Sequence, residues 1–232
     1  MALPQNENLS ELEARIGYRF TDGALLEQAL THSSHANECT DTARMADYER
    51  LEYLGDAVLE MVSSDFLFHR FPELPEGVLT RYRAALVCEE ALFSCARVLD
   101  LATYIRLGRG EESTGGREKP SILSDVTEAV IGAIYLDGGL PAADAFIRAH
   151  VLTDVEAKLQ NDDAKSKLQE YAQRTGKADV IYEVVRQDGP EHSKVFTSAV
   201  YIGDRFLAEG TGKNKKASQQ EAAKAALQIL CI

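Results

Sequence analysis

Acidic residues in two short segments are the groups best placed to do chemistry in this 232-residue chain. The segment 49–60, ERLEYLGDAVLE, and the segment 124–136, SDVTEAVIGAIYL, contain these acids: Glu49, Glu52, Asp56, Glu60, Asp125 and Glu128. If both segments are helices, Glu52 and Asp56 (i,i+4) share one face, and so do Asp125 and Glu128 (i,i+3). Such carboxylate pairs suit a hard divalent cation such as Mg²⁺. Zinc is disfavoured because neither segment contains histidine or cysteine.

In the first segment the acids could instead form an ordinary solvated helix face. The helical period predicts an apolar side made of Leu51, Leu54, Val58, Met61 and Val62, roughly opposite the four acids. No lysine or arginine within the acidic stripe relieves the repulsion between its carboxylates. Gly55 stands in the middle, where glycine costs about 1 kcal/mol relative to alanine, so we expect another backbone to pack closely there.

The second segment fits a solvated face poorly. Its charged residues are Asp125 and Glu128, and the rest of the segment is largely apolar. A helix of this kind is normally buried, and buried carboxylates are costly unless they are paired or bind a metal. Ser124 as a helix N-cap is a competing explanation for Asp125 near the helix start, but it accounts for Glu128 less well.

Charge divides the chain into two parts. The net charge is −12, yet residues 1–161 hold 14 Lys+Arg and 27 Asp+Glu (net −13), whereas residues 162–232 hold 11 and 10 (net +1). No apolar run approaches the length of a membrane span, and the polar, acidic N-terminus resembles neither a secretion signal nor a transit peptide. Four cysteines without metal-ligand spacing predict reduced thiols in a cytoplasmic protein.

The elements that must position the acids are helices. Helical patterns dominate up to residue 160, interrupted by the polar, glycine-rich segment 108–121, which predicts a loop. One predicted helix continues from Pro141 to about residue 159. After a short polar joint at 160–166, a helix ending near Gly176 is followed by three strands and a closing helix. The sequence therefore predicts a mostly helical domain followed by a small α+β domain with the order α-β-β-β-α.

The closing helix opens with KNKK, residues 213–216. A lysine cluster at a helix N-terminus attracts phosphate, although a bare charge run is also common at a solvated helix start. The α-β-β-β-α context favours a nucleic-acid contact, with the hairpin loop around His192 as a second one.

These segments resemble the ribonuclease III family of double-strand-specific RNA endonucleases. ERLEYLGDAVL resembles the family's signature, and ALTHSSHANE, PEGVLTRYRAALV and the block from LGRGEES to YLDGG resemble its neighbouring regions. The resemblance implies a catalytic domain over 1–157, a flexible linker over 158–164 and a double-stranded-RNA-binding domain over 165–232. Tyr53 stands where phenylalanine is commoner, which should preserve an aromatic plug.

The resemblance also implies roles for individual residues. The metal-binding acids fall on Glu52, Asp56, Asp125 and Glu128, of which Asp56 and Glu128 are catalytic, and Glu49 and Glu76 are secondary acids near the metal cluster or a dimer contact. Glu60 has no implied role and is interpreted as solvated. The implied RNA-binding residues are Ser166, Gln169, Glu170, Pro190, His192, Lys213, Lys215 and Lys216.

The activity implied is Mg²⁺-dependent cleavage of double-stranded RNA, with Mn²⁺ as a substitute metal. It leaves 5′-phosphate and 3′-hydroxyl ends with staggered cuts. It is carried out by a cytoplasmic homodimer, joined through the helix of residues 49–60, on ribosomal RNA precursors and structured messages. Three alternatives stay open: an RNA-binding protein without catalysis, a structure-selective DNA nuclease, and a helical scaffold whose acidic faces prevent aggregation. Comparing RNA with DNA duplexes discriminates the second.

Overall fold

The structure is a computed structural model that describes residues 5–38, 46–153, 155–176, 179–190 and 194–230. It divides into two compact units, Met1–Val155 and Glu156–Ile232. The helices of the first unit are α1 (Gln5–Ile16), α2 (Gly23–Ala29), α3 (Ser33–Glu38), α4 (Glu49–Arg70), α5 (Glu76–Leu86), α6 (Glu89–Leu99), α7 (Leu101–Tyr104), α8 (Arg109–Ser113) and α9 (Pro120–His150).

Helix α9 is the centre of the first unit, packed against α2, α4 and α6. It has the length and composition of a membrane-spanning helix, although the sequence suggested no such run. Most of its apolar side chains are buried, as in the core helix of a globular domain, so length and composition are weak evidence for a span. The helix is kinked at Gly139 (φ 73°), beside Pro141, where the sequence predicted a stop.

Three local predictions in this unit are wrong. The predicted helix from Pro141 to residue 159 is interrupted: α9 ends at His150 and a new helix begins at Val155. Met61, predicted on the apolar inner side of its helix, is 48% exposed. Glu60, predicted to be solvated, forms an ion pair with Arg83 of α5, Oε2 to Nε at 2.6 Å.

The segment 108–121, predicted as a loop, contains α8, a 3-10 turn at Gly116–Glu118 and the start of α9. Arg117 organises it by donating to the main-chain oxygens of Ala102 (2.6 Å) and Ile105 (2.8 Å). The same guanidinium pairs with Glu112 (2.6 Å). Contacts of this kind join residues distant in sequence, so periodicity does not predict them.

The second unit has the predicted order of elements. Helix α10 (Val155–Arg174) enters it and is followed by β1 (Val180–Asp188), β2 (Val195–Ile202), β3 (Arg205–Gly212) and α11 (Lys215–Leu230). The strands form an antiparallel sheet in the order β1-β2-β3. Helix α11 packs on β2 and β3, and Gly210 permits this: a Cβ there would lie 2.0 Å from the main-chain nitrogen of Ala222.

The resemblance implied that the segment 158–164 is a flexible linker. It is α-helical, as part of α10, which continues without a break from Val155 to Arg174. The segment is polar but contains no proline or glycine, so its composition does not prevent a helix.

Candidate functional site

The site is built where helices α4 and α9 cross at two glycines. A Cβ placed on Gly55 would lie 1.8 Å from the main-chain oxygen of Glu128, and a Cβ on Gly132 would lie 2.2 Å from the main-chain oxygen of Leu51. Side chains at these positions are therefore excluded, and the two backbones touch. The close approach expected at Gly55 is confirmed. Its partner is α9 of the same chain.

This crossing brings together carboxylates that are far apart in sequence. One carboxylate oxygen from each of Glu52, Asp125 and Glu128 lies within 4.8 Å of the others. All three side chains are half-buried. Three oxygen donors at this separation are a suitable ligand set for a hard cation, since Mg²⁺ takes a few carboxylates and fills its remaining positions with water or substrate oxygens.

Electrostatics in the cluster favour a cation. Burial raises the pKa of Glu128 to about 8, and repulsion from Asp56, Glu52, Asp125 and Glu60 adds to the rise. Burial also raises the pKa of Glu52, with further contributions from Asp125, Glu49 and Asp56. These shifts mean that the carboxylates resist sharing the site as anions, and a divalent cation would relieve that repulsion.

The other predicted acids lie at different distances from this cluster. Asp56 is exposed and outside the group of three, but its charge acts on both Glu128 and Glu52. Glu49 is exposed and acts on Glu52. Glu76 begins α5, where its Oε1 accepts a hydrogen bond from Thr80 Oγ1 (2.9 Å).

Sequence reasoning missed the residues around Asp125. Burial raises the pKa of Asp125 and the charge of Glu89 adds to it, whereas a hydrogen bond with Tyr48 and the charge of His32 lower it. Tyr48 immediately precedes the acidic helix, and His32 lies in the segment ALTHSSHANE. The sequence marked these two residues only by their position next to or within segments that resemble the family. Nothing in their spacing relates them to Asp125.

Exposed apolar side chains lie on α4 and on the second half of α9. Tyr53, expected to form an aromatic plug, is 81% exposed. Met61 and Leu140 line a groove of about 340 Å³ together with Pro141, between α4 and the second half of α9.

The second unit presents the predicted lysines at the start of its last helix. Lys213, Lys215 and Lys216 are all exposed. Asn214 caps this helix, with its Oδ1 accepting the N–H of Ala217 (2.8 Å). The helix N-terminus and three ammonium groups therefore lie at one place on the surface, an arrangement that attracts phosphate.

The remaining predicted RNA-binding residues belong to α10 and to the β1–β2 connection. Gln169 is half-buried and Glu170 exposed on α10, and Pro190 is exposed just after β1. His192 lies outside the described residues, as does the side chain of Ser166.

Comparison with known proteins agrees with this architecture. Residues 22–155 match a family model described as Ribonuclease-III-like, and residues 164–230 match the double-stranded RNA binding motif. Ribonuclease 3 of Listeria monocytogenes serotype 4a is 42% identical over 222 residues, which cover 95% of this chain and 96% of that protein. Ribonuclease 3 of Enterococcus faecalis is 44% identical over 227 residues, which cover 97% and 98%.

Among solved structures, the nuclease domain of ribonuclease III from Campylobacter jejuni aligns with a TM-score of 0.58 and 43% identity. The alignment covers 62% of this chain and 96% of that one. That structure is described as having structural flexibility in a region involved in dimer formation. The matched family models and the full-length relatives lead to one conclusion: this chain belongs to the ribonuclease III family of endoribonucleases, which act on double-stranded RNA.

Proposed function

We propose that the chain hydrolyses phosphodiester bonds of double-stranded RNA in a Mg²⁺-dependent reaction at the α4–α9 crossing. Glu52, Asp56, Asp125 and Glu128 hold the metal, and Asp56 and Glu128 act as the catalytic pair. The observation that carries the proposal is the convergence of three half-buried carboxylates within 4.8 Å, with Asp56 close enough to raise the pKa of Glu128.

The donor set fits magnesium because it consists of carboxylate oxygens alone. Bound Mg²⁺ supplies the Lewis acidity that makes water a nucleophile near neutral pH and offsets negative charge on the phosphate. The chain's own part is to hold the acids at the crossing and to release the proton that Glu128 keeps while its pKa is about 8. Metal binding should therefore strengthen as pH rises. Mn²⁺, which also accepts oxygen ligands, is the expected substitute.

In this proposal the second unit binds the RNA. Lys213, Lys215 and Lys216 bind phosphates, while Ser166, Gln169 and Glu170 of α10 and the loop residues Pro190 and His192 approach minor grooves. Domains of this type read A-form shape and 2′-hydroxyls across two minor grooves and the phosphates between them. The first part of the chain is strongly acidic, so RNA binding should depend on these lysines and weaken as salt rises.

A homodimer formed through the catalytic domain, with one cut per subunit, accounts for staggered products with 5′-phosphate and 3′-hydroxyl ends. The exposed Tyr53 and the secondary acids Glu49 and Glu76 are candidates for the dimer contact or the edge of the metal cluster. The proposed catalytic domain spans 1–157 and the proposed RNA-binding domain spans 165–232. We further propose that the protein acts in the cytoplasm, and that its substrates are ribosomal RNA precursors and structured messages.

The test is cleavage of a long perfect RNA duplex with and without Mg²⁺, followed by mapping of the product ends. Glu128→Gln should abolish cleavage in Mg²⁺ while duplex binding stays nearly intact. The matched control is Glu11→Gln, which removes an exposed carboxylate paired with Arg15 in α1 and should cleave normally. Normal cleavage by Glu128→Gln, or metal-independent cleavage by the unmodified chain, would refute the proposal, and equal cutting of a DNA duplex would refute its RNA specificity.

A further inference from the structure

Lys165 of α10 is hydrogen-bonded to the second turn of α11. Its ammonium donates to Oε1 of Gln219 (2.7 Å), and its main-chain N–H donates to Oε1 of Gln220 (3.3 Å). Gln220 is buried and Gln219 is half-buried, so packing limits the movement of both acceptors. Two hydrogen bonds from a single residue therefore join the two helices of the second unit.

The side chain of Lys165 also contacts the sheet. Its Nζ lies 4.4 Å from the centre of the Tyr182 ring of β1, which is within the range of a cation–π interaction. Lys165 is itself half-buried. Its ammonium is therefore fixed between α10, β1 and α11, whereas a lysine on an open surface samples many rotamers.

Each of the two joined helices carries one of the proposed contacts with RNA. On α11, Gln219 follows Lys215 and Lys216 by four and three residues, so the three side chains share one face of the helix. On α10, Gln169 follows Lys165 by four residues and lies one turn further along the same face. Burial lowers the pKa of Lys165 and the positive charge of Lys216 lowers it further, as expected for neighbouring ammonium groups. Lys165 thus lies between the part of α10 that approaches a minor groove and the lysines that bind phosphate.

We propose that Lys165 is a positioning residue for duplex recognition, which through Gln219 sets the distance between the minor-groove residues of α10 and the phosphate-binding lysines of α11. A-form RNA holds its minor groove and the neighbouring phosphates at a fixed spacing, and a domain that contacts both must match it. The inference rests on the proposed function, since it assumes that α10 and the lysines contact RNA.

Gln219→Ala removes the acceptor without changing the charge, and alanine favours a helix. Binding of the full chain to an RNA duplex, measured in chelator to prevent cleavage, should weaken about tenfold, because RNA must then restore an alignment that a charge-assisted hydrogen bond had maintained. Elution from heparin, a polyanion without A-form geometry, should not change because every lysine is still present. The matched control is Gln228→Ala, which truncates an exposed glutamine of the same helix and should bind both ligands normally.

Substitutions of Lys165 test the same contact from the other side. Lys165→Met keeps an unbranched side chain without the ammonium and should weaken duplex binding about tenfold, whereas Lys165→Arg keeps a cation with donors and should bind within about twofold of the unmodified chain. Combining Lys165→Met with Gln219→Ala should weaken binding no more than Lys165→Met alone, because the two residues share one hydrogen bond. Lys224→Met controls for the lost charge: it removes an ammonium paired with Glu221 (2.7 Å) and should bind the duplex normally.

Unchanged duplex affinity in Gln219→Ala would overturn the positioning role. Multiplied losses in the double variant would overturn it too, since Lys165 would then act on RNA independently of Gln219. If replacing Lys215 and Lys216 with alanine left duplex affinity unchanged, the RNA-binding surface itself would be refuted. That result concerns the proposed function, so the two failures are distinguishable.

Discussion

Gly55→Ala is the sharpest test of how this site is assembled. In the structure an added Cβ would lie 1.8 Å from the main-chain oxygen of Glu128, 2.6 Å from its carbonyl carbon and 2.9 Å from the main-chain nitrogen of Gly132. All three obstacles are backbone atoms in the middle of α9, so no side chain can rotate away. The methyl group fits only if α4 and α9 separate.

The size of the effect follows from these distances. Ordinary contacts to a Cβ are about 3.4 Å or longer, so the helices would have to part by roughly 1.5 Å at this point. Overpacking of a core typically costs about 1–3 kcal/mol, and we expect about 3 kcal/mol here because backbone opposes backbone. The displaced atoms belong to Glu128, and a misplacement of about 1 Å commonly lowers activity about 100-fold.

The assay is urea unfolding of the variant in parallel with duplex cleavage at saturating Mg²⁺. Gly77→Ala is the control because a Cβ at Gly77, in the first turn of α5, would meet nothing within 4 Å. That change should be neutral or stabilising by up to about 1 kcal/mol, since alanine favours a helix. If Gly55→Ala were as stable and active as Gly77→Ala, the backbone contact at the crossing would not position the acids.

Three further predictions concern charge and hydrogen bonds. Folding raises the pKa of Glu128 from 4.5 to about 8, so the metal-free protein should lose stability as pH rises through that interval. Glu128→Gln should flatten this part of a Tm–pH profile, and an unchanged slope would contradict the prediction. Replacing Lys215 and Lys216 with alanine should reduce the slope of the log binding constant against log salt concentration by about two. Filter binding of the duplex at several salt concentrations measures this slope, and an unaltered slope would mean that the two lysines do not contact phosphate. Ser218→Ala should lower the free energy of unfolding by about 1–2 kcal/mol in urea, because the buried hydroxyl of Ser198, 2.7 Å away, loses its hydrogen-bond partner. Adding Ser198→Ala should recover part of the loss, and equal stability of all variants would refute the prediction.

Asp125 and Glu128 stood out in the sequence for a physical reason. A helix as apolar as 124–136 has to be buried, and carboxylates inside it need a compensating partner. Gly55 carried independent information, since a helix tolerates glycine in its middle when another backbone lies against it. Periodicity could not, however, tell which backbone that was. The structure identifies it as α9 of the same chain.

Other features escaped prediction because they depend on contacts across the fold. The pattern along α4 indicated a solvated Glu60, but Arg83 of α5 forms an ion pair with it. The polar segment 108–121 has no apolar period, and its short helices are held by Arg117 through main-chain oxygens of α7 and its C-terminal end.

The repulsion between the acids opposes the packing of α4 against α9 that brings them together. Burial and mutual repulsion raise the pKa values of Glu52 and Glu128, so each carboxylate resists the approach of α4 to α9 in its charged form. What draws the helices together is the apolar surface of α9, where Val126, Val130 and Ile134 are completely buried, and the glycines that allow the backbones to touch. The apolar core and the glycine contact, rather than the carboxylates, therefore hold α4 against α9. A folded site that already concentrates negative charge can bind a metal without the ordering cost that a site formed only on binding would carry.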